Sequence, residues 1–170
     1  MAKAGQERQK TNALRILDGL GIAYRTIAYE VDEEDLSAES VAAKVGLDPE
    51  RVFKTLALRG ASGAVFLACV PAGSELDLKK AARAAGEKSV DMLPLKELQP
   101  TTGYVRGGCS PIGAKRKFPV YLDETATLFE EISVSAGQRG LQVLLAPEEL
   151  RRAASEQPGG QAEAGFADLV

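Results

Sequence analysis

Lys54 stands in the run Arg51-Val52-Phe53-Lys54-Thr55-Leu56-Ala57-Leu58, and as a strand residue it shares a face with Val52, Leu56 and Leu58. A lysine on the apolar side of a strand either snorkels to a sheet edge or projects into a cavity as a positive charge or tuned amine. The loop Gly107-Gly108-Cys109-Ser110-Pro111-Ile112-Gly113 is a second candidate, because its glycines would let backbone amides approach a ligand oxygen. It matches neither the P-loop nor the dinucleotide-binding glycine pattern, so it is either a strand-connecting turn or an oxygen cradle. From Leu98 through Leu122 there is no acidic residue, while Arg106, Lys115, Arg116 and Lys117 are basic. A polyanion could dock on that local positive potential.

Histidine is absent from the chain, which excludes Ser-His-Asp and Cys-His nucleophile activation and zinc sites built on imidazole. Tyr29 either offers its hydroxyl to a site or packs at a strand end with a wet tip. The carboxylates Glu30, Asp32, Glu33, Glu34 and Asp35 form an unspaced run and read as a solvated loop. Cys69 and Cys109 are too far apart for a CxxC pair, and Cys69 reads as a free buried thiol. No metal site and no cofactor are expected.

The 170 residues suffice for one domain, and 45% hydrophobic with 26% charged residues at a net charge of -3 reads as an ordinary globular protein. Residues 1 to 15 carry no apolar core of signal-peptide type, and the longest apolar run, Ala64 to Ala72, falls far short of the about 20 residues that span a bilayer. The expected compartment is the cytoplasm, with no membrane partner.

Helical spacing at Ala13, Ile16, Leu17 and Leu20 predicts a first helix, Ile22 to Tyr29 a strand, and Ser37 caps a second helix through Val45. Asp48-Pro49 opens a turn into the apolar runs Val52 to Arg59 and Ala64 to Pro71, a hairpin pattern. Leu78, Ala81, Ala82 and Ala85 mark a third helix; Ser89 to Leu93 reads as a strand and Pro94 to Leu98 as a helical turn. Strands follow at Val120 to Leu122, Phe129 to Val134 and Leu141 to Leu145, with a closing helix from Pro147 to Ala154. The expectation is an α+β domain over residues 11–155 with a mixed, mostly antiparallel curled sheet and flanking helices. Residues 1–10 are expected to form a flexible N-terminus, and residues 156–170, rich in Gly and polar residues, a flexible tail.

Ordered blocks from about Thr11 to Ala154 resemble the YbaK family of aminoacyl-tRNA editing domains, which are related to the editing domain of bacterial prolyl-tRNA synthetase. The blocks are Tyr29-Glu30, Val45-Gly46-Leu47-Asp48-Pro49, Val52-Phe53-Lys54-Thr55-Leu56, Leu76-Asp77-Leu78-Lys79-Lys80, Thr102-Gly103-Tyr104, Gly107 through Gly113, and Gly140-Leu141. The combination looks most like the branch that deacylates Cys-tRNA(Pro). The resemblance implies hydrolysis of the ester between a mischarged amino acid and the terminal ribose of tRNA(Pro), with prolyl-tRNA synthetase as a partner in a ternary complex. It implies that Lys54 is the family's essential lysine, that Tyr29 positions the substrate end, and that Gly107 is the first glycine of the functional loop. Gly108, Ser110 and Pro111 would bind substrate in that loop, and the substrate's own thiol would attack its ester carbonyl. Gln142, a further substrate-binding candidate, stands where the family's better-known member has an aspartate, which keeps open an alternative: an aminoacyl-tRNA- or synthetase-binding module with altered catalysis, or a deacylase for another mischarged amino acid such as alanine. A lysine that forms a Schiff base is a third reading of Lys54.

Overall fold

The structure, a computed structural model, describes residues 10–160 and 162–170. The expected flexible N-terminus therefore lies almost wholly outside the described residues. Helices α1 (Asn12–Gly19), α2 (Ala38–Val45) and α3 (Leu78–Ala85) begin where a short polar side chain can accept a free amide. Thr11 accepts from the Leu14 amide, Ser37 from that of Ser40, and Asp77 from those of Lys79 and Lys80. Gly46 and Gly86 close α2 and α3 in the left-handed conformation that a residue without a Cβ adopts at low cost.

Strands β2 (Phe53–Gly60) and β3 (Val65–Pro71) form the expected hairpin, with Lys54 opposite Val70 and Thr55 opposite Cys69. Every residue of β3 is buried, because β2 and β5 (Val120–Asp123) flank it and side chains cover both faces. Val65, Leu67 and Cys69 enter the main core; Phe66, Ala68 and Val70 pack in a second cluster with Ala81 and Ala82 of α3. A strand buried on both sides reads as a continuous apolar run rather than an alternating one. Strand β4 (Val90–Met92) pairs with β2, and β5 runs parallel to β3.

A second sheet is fully antiparallel, in the order β1 (Arg25–Ala28), β7 (Leu141–Leu145), β6 (Ile132–Ser135). An isolated parallel bridge between Val52 and Ser133 ties it to the start of β2. The two remaining helices are α4 (Leu95–Thr102), longer than the single turn expected there, and α5 (Pro147–Glu156), which buries Leu150, Ala153 and Ala154. The α+β class and the mixed sheet agree with expectation, although the strands divide into two sheets.

The tail is a correction. Residues Ala164–Ala167 form β8, parallel to β5, and Leu169 is fully buried. The Leu169 amide donates to the buried Asp123 carboxylate at 2.9 Å, and its carbonyl accepts from the Asp77 amide at 2.8 Å. The segment is held by backbone hydrogen bonds to the edge of β5, by the buried Leu169, and by Phe166 and Val170 packed part-buried on the two cores; four strand residues without alternation gave composition and periodicity nothing to register.

Candidate functional site

Where the two sheets meet, a cavity of about 480 Å³ opens among the start of β2, the N-terminus of α2, the β4–α4 corner and the 106–109 loop. That volume lies in the usual range for a small-molecule site, roughly 300–1,000 Å³. Apolar side chains such as Leu36, Val41, Leu56 and Leu93 make much of its wall. Its polar groups come from Ser37, Glu39, Lys54, Thr55, Arg106, Ser135 and Gln142. Two cations against one carboxylate give the lining a positive balance.

Lys54 is half-buried, and its ammonium has one long contact, to the Ala72 carbonyl at 3.4 Å. An ammonium has three donors, so that contact leaves it able to bind an anion or a ligand oxygen. The sheet register sets its place: Lys54 lies beside the last residues of β3, one position from the Phe53–Pro71 pair that ends the ladder. Between snorkelling to a sheet edge and projecting into a cavity, the geometry favours a charge at the cavity wall.

Gly107 also lines the cavity, at φ 84°, a conformation that side chains rarely adopt. The Arg139 Nε donates to the Arg106 carbonyl at 2.7 Å and clamps the loop from outside. Gly108 packs so closely on the backbone of Gln138 and Arg139 that a Cβ there would lie 3.2 Å from the Arg139 nitrogen. Its amide already donates to the Val105 carbonyl at 2.9 Å and is not free to hold a substrate oxygen. Among the described residues, the Gly107 amide has no such partner.

Gln142 is 4% exposed and lines the cavity from β7. Its Oε1 accepts from the Ser133 hydroxyl at 2.8 Å, so the group it presents to the cavity is its NH₂. A carboxylate at this position would present an acceptor; the amide presents a donor.

The structure thus brings Lys54, Gly107 and Gln142 together. Tyr29, Gly108, Ser110 and Pro111 do not line the cavity. Tyr29 stands just past β1, its amide donating to the Gly140 carbonyl at 2.9 Å. Ser110 and Pro111 are buried in the loop, where the Ser110 hydroxyl accepts from the Ile112 amide at 3.4 Å.

Thr55 and Ser135 also line the site, and sequence reasoning missed both. Ser135 is opposite Gln142 in the β6–β7 register, a relation visible only once the strands are paired. Cys109 is a third lining residue, but burial pushes its thiol up to about 12, so it is protonated at neutral pH and is a weak nucleophile.

Residues 32–153 match the family described as the aminoacyl-tRNA editing domain. Enterococcus faecalis EbsC, provisionally named a Cys-tRNA(Pro)/Cys-tRNA(Cys) deacylase, is 50% identical over 148 residues, 87% of this chain and 90% of its own. Bacillus subtilis YwhH, an uncharacterized protein, is 30% identical over 121 residues, 71% of this chain and 76% of its own. A solved protein described provisionally as a trans-editing enzyme for prolyl tRNA synthetase superimposes with a TM-score of 0.76 at 25% identity, covering 95% of this chain and 98% of its own. Extended matching over the segments that build the cavity places the chain in a family: it belongs to the aminoacyl-tRNA editing domains.

Proposed function

We propose that this chain deacylates mischarged tRNA in trans, with Cys-tRNA(Pro) as its substrate. The observation that carries the reading is the cavity itself, which joins a weakly held ammonium, a positive-φ glycine amide and an amide donor without any histidine. Among the described residues, its only lining thiol is held protonated by burial. Such a site is suited to position a substrate rather than to supply a nucleophile. The name carried by EbsC supports cysteine as the amino acid. Cysteine and proline have similar volumes, and a pocket discriminates poorly on so small a difference, so a second site has to remove the error.

In this mechanism the substrate's thiol sulfur attacks its own ester carbonyl. The carbon–sulfur bond forms, the carbon–oxygen bond to the terminal ribose breaks, and the thiol proton passes to the departing ribose hydroxyl. Water then opens the resulting thiolactone to free cysteine. Holding thiol and carbonyl in near-attack geometry can lower the barrier by on the order of 7–11 kcal/mol. Lys54 holds the phosphate and ribose of the terminal adenosine, the Gly107 amide faces the carbonyl oxygen as negative charge develops on it, and Gln142 donates to an acceptor on the amino acid. Tyr29, outside the cavity wall, acts on the substrate end beyond it.

The free domain carries little selectivity for the tRNA body, and assembly with prolyl-tRNA synthetase supplies it. The trans-editing description of the solved relative supports this. The test is release of amino acid from Cys-, Ala- and Pro-tRNA(Pro) and from Cys-tRNA(Cys), with and without the synthetase. Cys-tRNA(Pro) should be cleared fastest, and its advantage over Cys-tRNA(Cys) should widen when synthetase is added. No release above buffer would refute the deacylase, and an unchanged ratio would refute the ternary complex.

A further inference from the structure

A groove of about 700 Å³ lies on the other side of the 103–115 loop, between that loop and the start of α1. Lys10, Arg15 and Lys115 contribute to its lining, and among the described residues that line it none is a carboxylate, in a chain whose net charge is -3. Lys10 pairs with Asp18 at 2.5 Å, but among the described residues neither Arg15 nor Lys115 is in an ion pair, and both are exposed. The groove and the cavity share their dividing ridge. Gln138 lines the groove, while the next residue, Arg139, clamps the Arg106 carbonyl at the cavity. Positive side chains therefore stand on both sides of this ridge, Arg106 at the cavity wall and Arg15 and Lys115 in the groove, with Arg139 next to the ridge residue Gln138.

We infer that this basic track binds the sugar-phosphate backbone of the tRNA whose aminoacylated end occupies the cavity. The inference rests on the deacylase reading and adds where the rest of the substrate lies. Exposed cations without an ion-pair partner among the described residues, such as Arg15 and Lys115, suit a strand carrying one charge per nucleotide, and such contacts give affinity without sequence preference. The same track would fit an acidic face of a protein, which the test separates.

The experiment compares the parent with an Arg15→Glu, Lys115→Glu double variant. One arm measures binding of fluorescein-labelled, uncharged tRNA(Pro) by anisotropy across a sodium chloride series. The other measures hydrolysis of 3′-O-cysteinyl-adenosine, which fills the cavity but carries no phosphate. The variant should bind tRNA at least about 10-fold more weakly, with a shallower dependence of log affinity on log salt by roughly 0.7–0.9 for each phosphate that it no longer neutralises. Its turnover of cysteinyl-adenosine should equal the parent's. Parent-like tRNA affinity and salt slope, or an equal reduction on both substrates, would overturn the inference; in the first case the track would be left to a protein partner. Failure of both proteins on cysteinyl-adenosine and on Cys-tRNA(Pro) would instead remove the deacylase reading, and the binding arm would still decide the groove.

Discussion

In the proposed mechanism the site depends most on Lys54, whose half-buried ammonium stands at the cavity wall with one long protein contact. Lys54→Ala should lower deacylation of Cys-tRNA(Pro) by at least about 100-fold, the scale on which a single electrostatic donor acts in a water-poor site. Its melting temperature should stay within a few degrees, since that contact contributes little to stability; near-parental activity would remove Lys54 from the chemistry. Cys109→Ala should act in the opposite way and keep kcat within about threefold, because the buried thiol, pushed up to about 12, holds its proton at neutral pH. A collapse of kcat in that variant would mean the protein supplies the sulfur. Lys54 was legible in the sequence as a lone cation among apolar neighbours, and Gly107 as part of a glycine-rich loop. The inward donor of Gln142 was not, because its direction depends on the Ser133 hydroxyl across the β6–β7 pair.

Among the elements, the hairpin and the capped helices follow from local rules, and the sequence displays them. Ser37, Asp77 and Gly86 each sit where a helix end needs them, and the Gly60 to Ala64 turn closes with a 2.9 Å bond from the Gly60 amide. Strand β8 follows from no local rule. Its four residues carry no alternation, and Leu169 is the one large side chain among them and their neighbours that is fully buried. Leu169→Ala should therefore destabilise the fold by about 2–5 kcal/mol, measured by urea unfolding, through a cavity beside Tyr121 and α3. A change under about 0.5 kcal/mol would show that the segment is not docked in solution. The division of the strands into two sheets escaped sequence reading for a related reason: β1 pairs with β7, more than a hundred residues away in the chain.

At the scale of the molecule, several neutral acids are held by burial. Burial pushes Cys69, Cys109 and Tyr121 up to about 12, with the Glu163 carboxylate adding to the effect at Tyr121. Below about pH 7.5 both folded and unfolded chains keep these protons, so stability does not change with their titration. As pH rises through the unfolded thiol value of about 8.5 the unfolded chain releases them while the folded chain does not, and stability falls from about pH 8 to 12. The melting temperature should be level from pH 6.5 to about 7.5 and then decline; a level profile up to pH 11 would contradict this picture of the core.

In the proposed mechanism the protein positions a substrate that carries its own nucleophile. Rates of deacylation of Cys-tRNA(Pro) and of S-methylcysteinyl-tRNA(Pro), measured side by side at pH 7.5, test it most directly. The two differ by one methyl group on the sulfur, and the account predicts release from the first and a rate no faster than buffer from the second. Comparable rates on both would contradict it, because the attacking group would then have to come from the protein or from water.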